Sequence, residues 1–191
     1  SRTRALLPVH LYGHPADLEA LSRVADRHGL ALVEDCAQSH GARLGGRLTG
    51  TIGHLGAFSF YPTKNLGAYG DGGAVITGDA ALADRLRRLR NHGQVDRYHH
   101  AERGQNSRLD ELQAALLSVK LVHLDGHNEI RRGLAARYSS RLAGVVTPTC
   151  RLGAEPVYHL YVVRHGERDR LMDELKTRGI GTLIHYPIPV H

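Results

Sequence analysis

At 191 residues the chain is long enough for one domain or one and a half, and its 41% hydrophobic content is that of an ordinary globular protein. No apolar run reaches the length of a membrane span and no charged-then-apolar leader opens the chain, so the expectation is a cytoplasmic protein with no membrane partner. The net charge of +6 admits nucleic acid or an anionic small molecule, yet its densest group, Arg85, Arg87, Arg88 and Arg90, lies on a helical pattern with few aromatics nearby and reads as a solvated face, not a nucleic-acid site. Cys36 and Cys150 stand far apart in no metal or redox spacing and read as free thiols.

In chain order, residues 6–10 read as a strand running into a loop. Pro15 fits the first turn of a helix whose apolar face is Leu18, Leu21, Val24 and Ala25, and Gly29 fits its stop. The apolar run 30–33 follows, with Glu34 and Asp35 at its end. A helix feeding a short buried strand is the pattern of a parallel α/β sheet. Further strands are expected at 57–61 and 74–77, on either side of the glycine-rich segment 67–73. Asp79 fits the cap of a helix carrying Leu82, Leu86 and Leu89 on one face. Residues 92–105 read as irregular. Helices are expected over 109–124 and 129–142, separated by a break at Asp125-Gly126, and the end reads β-α-β over 157–163, 168–178 and 180–185. A domain boundary is placed near 125, giving the C-terminal part of a large domain with its long linking helix over 1–124 and an incomplete small α+β domain over 125–191.

Chemistry concentrates in two segments: Val33-Glu34-Asp35-Cys36-Ala37-Gln38-Ser39-His40-Gly41, and Phe58-Ser59-Phe60-Tyr61-Pro62-Thr63-Lys64-Asn65-Leu66-Gly67. Asp35 and Lys64 each follow a predicted parallel strand, and ligands of open α/β sheets bind at such strand ends. A lysine and a carboxylate in one crevice are the groups that pyridoxal phosphate (PLP) chemistry needs: an amine for the Schiff base, and an acid that holds the proton on the pyridine nitrogen. Ser59 offers a hydrogen bond to a phosphate.

These segments resemble the DegT/DnrJ/EryC1/StrS family of sugar aminotransferases, which have the aspartate-aminotransferase-like (type I PLP) α/β fold with a mainly parallel sheet. The likeness extends to Val9-His10-Leu11-Tyr12-Gly13, Leu89-Arg90-Asn91-His92-Gly93, residues 106–115 and Ile184-His185-Tyr186-Pro187. It implies Lys64 as the Schiff-base lysine, Asp35 as the acid on the pyridine nitrogen, Gln38 against the pyridoxal ring and Ser59 as a phosphate ligand. Asn106 is implied to reach the cofactor phosphate of a neighbouring subunit in a homodimer, and Arg108 and His185 to contact substrate. The implied reaction moves an amino group, from glutamate, to a nucleotide-linked keto-deoxysugar, in particular a 3-ketosugar. The family runs to nearly twice this length, so the chain is expected to be a fragment lacking an upstream Gly-Ser/Thr turn and the end of the small domain. The alternative is an inactive fragment or a regulatory module of the same fold.

Blander readings stand beside these. Asp35 alone fits a turn and Asn106 a helix cap. The glycines at 67, 70, 72 and 73 spell neither a dinucleotide fingerprint nor a P-loop. The 14 histidines include no His-Glu-x-x-His pair, and no metal site is expected.

Overall fold

The computed structural model describes residues 2–189. Its elements are β1 (Ala5–Leu6), a 3-10 turn (Leu11–Gly13), α1 (Leu18–His28), β2 (Ala31–Asp35), β3 (Arg43–Leu44), β4 (Arg47–Leu48), β5 (Leu55–Ser59), β6 (Gly73–Ile76), α2 (Ala80–Leu89), β7 (Gln94–Asp96), β8 (His99–His100), α3 (Glu111–Leu121), α4 (Leu124–Arg141), β9 (Ala154–Glu155) and α5 (Arg168–Thr177). The fold is α/β. A four-stranded sheet in the order β1-β2-β5-β6 is parallel across β1, β2 and β5, and β6 joins it antiparallel.

Helix α1 buries Leu18 and Ala25 against Leu32 of β2 and Leu44 of β3. Its start is set by Asp17, whose carboxylate accepts from the Ala20 amide at 3.1 Å. Pro15 therefore lies ahead of the cap instead of in the first helical turn: a side chain that takes an orphan amide decides where the helix begins. Gly29, with φ of 59°, closes the helix as predicted.

A second cluster joins Leu66 and Ala68 to Leu117 of α3 and Leu124 of α4, with Phe60 and Leu109 against it. Helix α4 runs unbroken through Asp125 and Gly126, so the predicted break falls instead at Val122 and His123. One glycine in a helix costs about 1 kcal/mol, less than Leu124 and Asn128 gain by being buried from the first turns of α4.

The predicted β-α-β ending is present only as α5. Residues 157–163 and 180–185 are not strands, because a strand exists only with a partner for its backbone groups. In this region the pairing among the described residues is a bridge between Val146 and Arg164. The three-stranded sheet β4-β3-β9 was not expected. Its hairpin turns at Gly45-Gly46, both at positive φ, a turn signal that the short flanking strands obscure. Likewise, the irregular stretch 92–105 holds the small hairpin β7-β8. Among the described residues, no helix is long and apolar enough to cross a membrane.

Candidate active site

Asp35 is the last residue of β2. Its backbone is held from both sides: its N–H donates to the Pro8 carbonyl at 2.9 Å and its carbonyl accepts from His10 N–H at 3.1 Å, while Cys36 N–H donates to Ala57 of β5 at 2.8 Å. One carboxylate oxygen, Oδ1, accepts from the Ala37 amide at 2.9 Å. The other, Oδ2, has no hydrogen-bond partner among the described residues, which leaves an oriented, half-buried acceptor at the strand end.

Lys64 lies in the turn that follows the neighbouring parallel strand β5. Its own N–H donates to the Tyr61 carbonyl at 2.9 Å, and Ala68 N–H returns to Phe60 at 2.8 Å. The chain folds back so tightly that a Cβ at position 67 would lie 2.4 Å from the Pro62 carbonyl oxygen, a separation that admits only glycine. Lys120 of α3 donates to the Gly67 carbonyl, and the Gln113 side chain accepts from Tyr69 N–H at 2.8 Å. The turn is thus braced by α3, while the half-buried Lys64 side chain makes no ion pair or hydrogen bond among the described residues.

Ser59 ends β5. Its Oγ accepts from Tyr61 N–H at 3.2 Å, so the hydroxyl proton is left to donate outward. Gln38 is buried, and its amide orientation follows from its partners: Oε1 must face the Tyr12 amide, at 2.5 Å, which turns Nε2 to the Tyr186 hydroxyl, at 2.8 Å. Tyr12, in the left-handed region at φ 60°, also donates its hydroxyl to the His185 carbonyl. Gln38, Tyr12, His185 and Tyr186 therefore form a closed ring of contacts that lays the C-terminal segment over the end of β2.

Asn106 and Arg108 stand apart. Both are exposed, the Asn106 Oδ1 accepts from Arg108 Nε at 3.0 Å, and no described contact links either to Asp35 or Lys64. Asn106 does not cap α3; that position is Asp110.

Sequence reasoning missed a polar chain beside the lysine. Buried Asn128 donates to the His40 carbonyl at 2.8 Å and accepts from Asn65 Nδ2 at 2.9 Å, which also donates to the Val157 carbonyl at 3.1 Å. Asn65 Oδ1 is then the acceptor for His159 Nδ1 at 3.2 Å, leaving the His159 Nε2 lone pair free. Burial, then the charge of Lys64, lowers the pKa of His159 to about 4. Only the position of Asn65 within the lysine motif hinted at this chain of contacts. Such a set (a free carboxylate oxygen, an unpaired amine, an outward hydroxyl and an oriented amide) matches what a pyridoxal phosphate molecule requires of a protein.

A model of the DegT/DnrJ/EryC1/StrS aminotransferase family matches residues 1–191. The chain is 58% identical over 193 residues to a dTDP-3-amino-3,4,6-trideoxy-alpha-D-glucose transaminase of Streptomyces venezuelae, covering 100% of this chain and 51% of that protein. Among solved structures, S. venezuelae DesV in complex with a ketimine intermediate superposes with a TM-score of 0.96 at 58% identity, covering 100% of this chain and 52% of that one. Bacillus subtilis ntda with bound cofactor PMP does so at 0.86 and 32% identity, covering 97% and 44%. The chain spans about half the length of the curated relatives it matches.

Proposed function

The chain belongs to the DegT/DnrJ/EryC1/StrS aminotransferase family, and from that premise we propose that the complete protein is a PLP-dependent aminotransferase acting on a nucleotide-linked keto-deoxysugar, aminated at C-3, with glutamate as donor. The observation that carries this reading is the pairing of strand ends: Asp35 closes β2 with one oxygen free, and Lys64 follows β5, the strand parallel to it. The name of the S. venezuelae relative supports the 3-amino position, and the transaminase activity it states weighs against the regulatory-module alternative.

Bound pyridoxal phosphate supplies an electron sink for the pair left behind when a proton leaves the substrate's Cα. This chain's residues do the rest. Asp35 Oδ2 holds the proton on the ring nitrogen, while Oδ1 stays with the Ala37 amide. Lys64 Nζ would anchor the cofactor and, once free, would take the proton from the donor's Cα and later deliver one to the sugar carbon that gains the nitrogen. Ser59 donates its hydroxyl proton to a phosphate oxygen. Gln38, gripped at both ends of its amide, presents a fixed face to the ring. The segment around His185 and Tyr186 lies over the end of β2 through Tyr12 and Gln38, where His185 meets substrate, while Arg108, bonded to Asn106, meets substrate on the second subunit's side. Asn106 serves the site of a second subunit, which makes the working unit a homodimer.

The test is to add the cofactor to purified full-length protein, reduce with borohydride and map the modified lysine by mass spectrometry. Label at Lys64, with turnover lost in Lys64→Ala, is expected. A label elsewhere, or full activity in Lys64→Ala, would sink the assignment.

A further inference from the structure

The side chain next to Asp35 points into the protein and is fully buried. Both oxygens of Glu34 are occupied: Oε1 accepts from the amides of Ile52 at 2.8 Å and Gly53 at 2.6 Å, and Oε2 accepts from the Gly50 amide at 2.7 Å and from His10 Nε2 at 3.0 Å. The tautomer of His10 follows from geometry. Its Nδ1 must accept, because the group facing it at 3.0 Å is the Ala16 amide, so the ring proton sits on Nε2 and is donated to Glu34.

His10, Glu34 and Cys36 also bring ligand-type atoms within 4.8 Å of one another, but this cluster is not free to take a cation. The His10 lone pair is used by Ala16, the Glu34 carboxylate by four donors, and burial, followed by the Glu34 charge, pushes the Cys36 thiol up to about 12. The hydrogen-bonding groups of His10 and Glu34 are already taken, by backbone amides and by one another.

What is held is the end of β2. His10 touches both residues of interest: its amide donates to the Asp35 carbonyl and its ring to the Glu34 carboxylate. Pro8 closes the same ladder from the other side of the Asp35 peptide, and Val9 pairs with Asp35 in parallel. Glu34 in turn fastens the 50–53 turn leading into β5, the strand that ends near Lys64. One buried carboxylate thus ties the end of β2 to the turn that enters the neighbouring strand and, through His10, to the segment flanking the acid.

We infer that His10 and Glu34 are a positioning pair that fixes Asp35 so that its free oxygen meets the pyridine nitrogen of the cofactor. The inference rests on the role given to Asp35 above. Neither residue touches cofactor or substrate; they act through the backbone of Asp35.

The test is a double-mutant cycle on full-length protein, reading the dissociation constant of pyridoxal phosphate by absorbance titration, with the melting temperature of each cofactor-free variant as the fold control. Removing one partner of a buried charged hydrogen bond weakens what depends on it by roughly tenfold or more, so Glu34→Gln and Asp35→Asn are each expected to weaken cofactor binding by that much. In the Asp35→Asn background, Glu34→Gln is expected to add less than about twofold, because the group it positions is already gone. Independent, multiplying losses would overturn the inference, since a purely structural defect does not depend on the Asp35 side chain. If Glu34→Gln does not fold, His10→Leu, which leaves Glu34 its three amide donors, carries the same cycle. Wild-type affinity in Glu34→Gln beside a weak Asp35→Asn rejects the pair alone; wild-type affinity in Asp35→Asn rejects the role of Asp35 and the pair with it.

Discussion

His40 is buried at 3% exposure against Phe58 and Phe60, and neither of its ring nitrogens is in hydrogen-bonding geometry with any described group. Burial is the main cause that lowers its pKa to about 4 from 6.5; the Ser59 backbone offsets part of this and the Lys64 charge adds to it. The sign of the consequence is definite. Above pH 6.5 the ring is neutral folded or unfolded, and the group contributes nothing to pH dependence. Between 6.5 and about 4 the unfolded chain takes up a proton that the folded one refuses, so stability falls as the solution is acidified, by on the order of 3 kcal/mol in total. In full-length protein, the urea midpoint of His40→Phe is therefore expected to drop less than that of wild type between pH 7 and pH 5; parallel drops would contradict this. Legibility at this scale follows sequence distance. Asp35, Gln38, Ser59 and Lys64 are marked by their immediate neighbours. Asn128 and His159 reach Asn65 from 63 and 94 residues away, and no local pattern marks them.

The turn from residue 61 to 68 is the element on which the proposed site depends, because it sets where Lys64 projects. Gly67→Ala places a methyl group against the Pro62 carbonyl oxygen, and backbone on both sides leaves no flexible side chain to give way. The expected cost is about 1–3 kcal/mol of stability, together with a fall in borohydride-trapped label at Lys64. A variant labelled like wild type would show that the close approach is not what places the lysine. Element types were legible where periodicity runs long, as in α1 and α2, whose caps Asp17 and Asp79 grip the first amides of each helix. Short elements were not. The two-residue strands β3, β4 and β9 carry no alternation to detect, and 157–163 has the composition of a strand without a ladder to join.

At the scale of the molecule, the described chain leaves large apolar side chains in contact with water. Leu112, Val119 and Val122 along and just beyond α3, Ile130 and Tyr138 on α4, and Val75 and Ile76 on strand β6 are all exposed. Contiguous apolar surface drives association, and an open strand edge templates it. The isolated 191 residues are expected to self-associate with concentration in sedimentation velocity; a monomer across the micromolar range would show that these side chains are tolerated singly. What the sequence by itself determined was the α/β class and the family, because close neighbours in the chain carry that information in turn chemistry and motif spacing. Only the tertiary structure decided that Glu34 faces inward to four donors, that Gln38 is gripped by Tyr12 and Tyr186, and that α4 passes through Gly126. Each of these is settled by which distant group supplies a missing hydrogen bond or buries an apolar face, and that pairing exists only once the chain has folded.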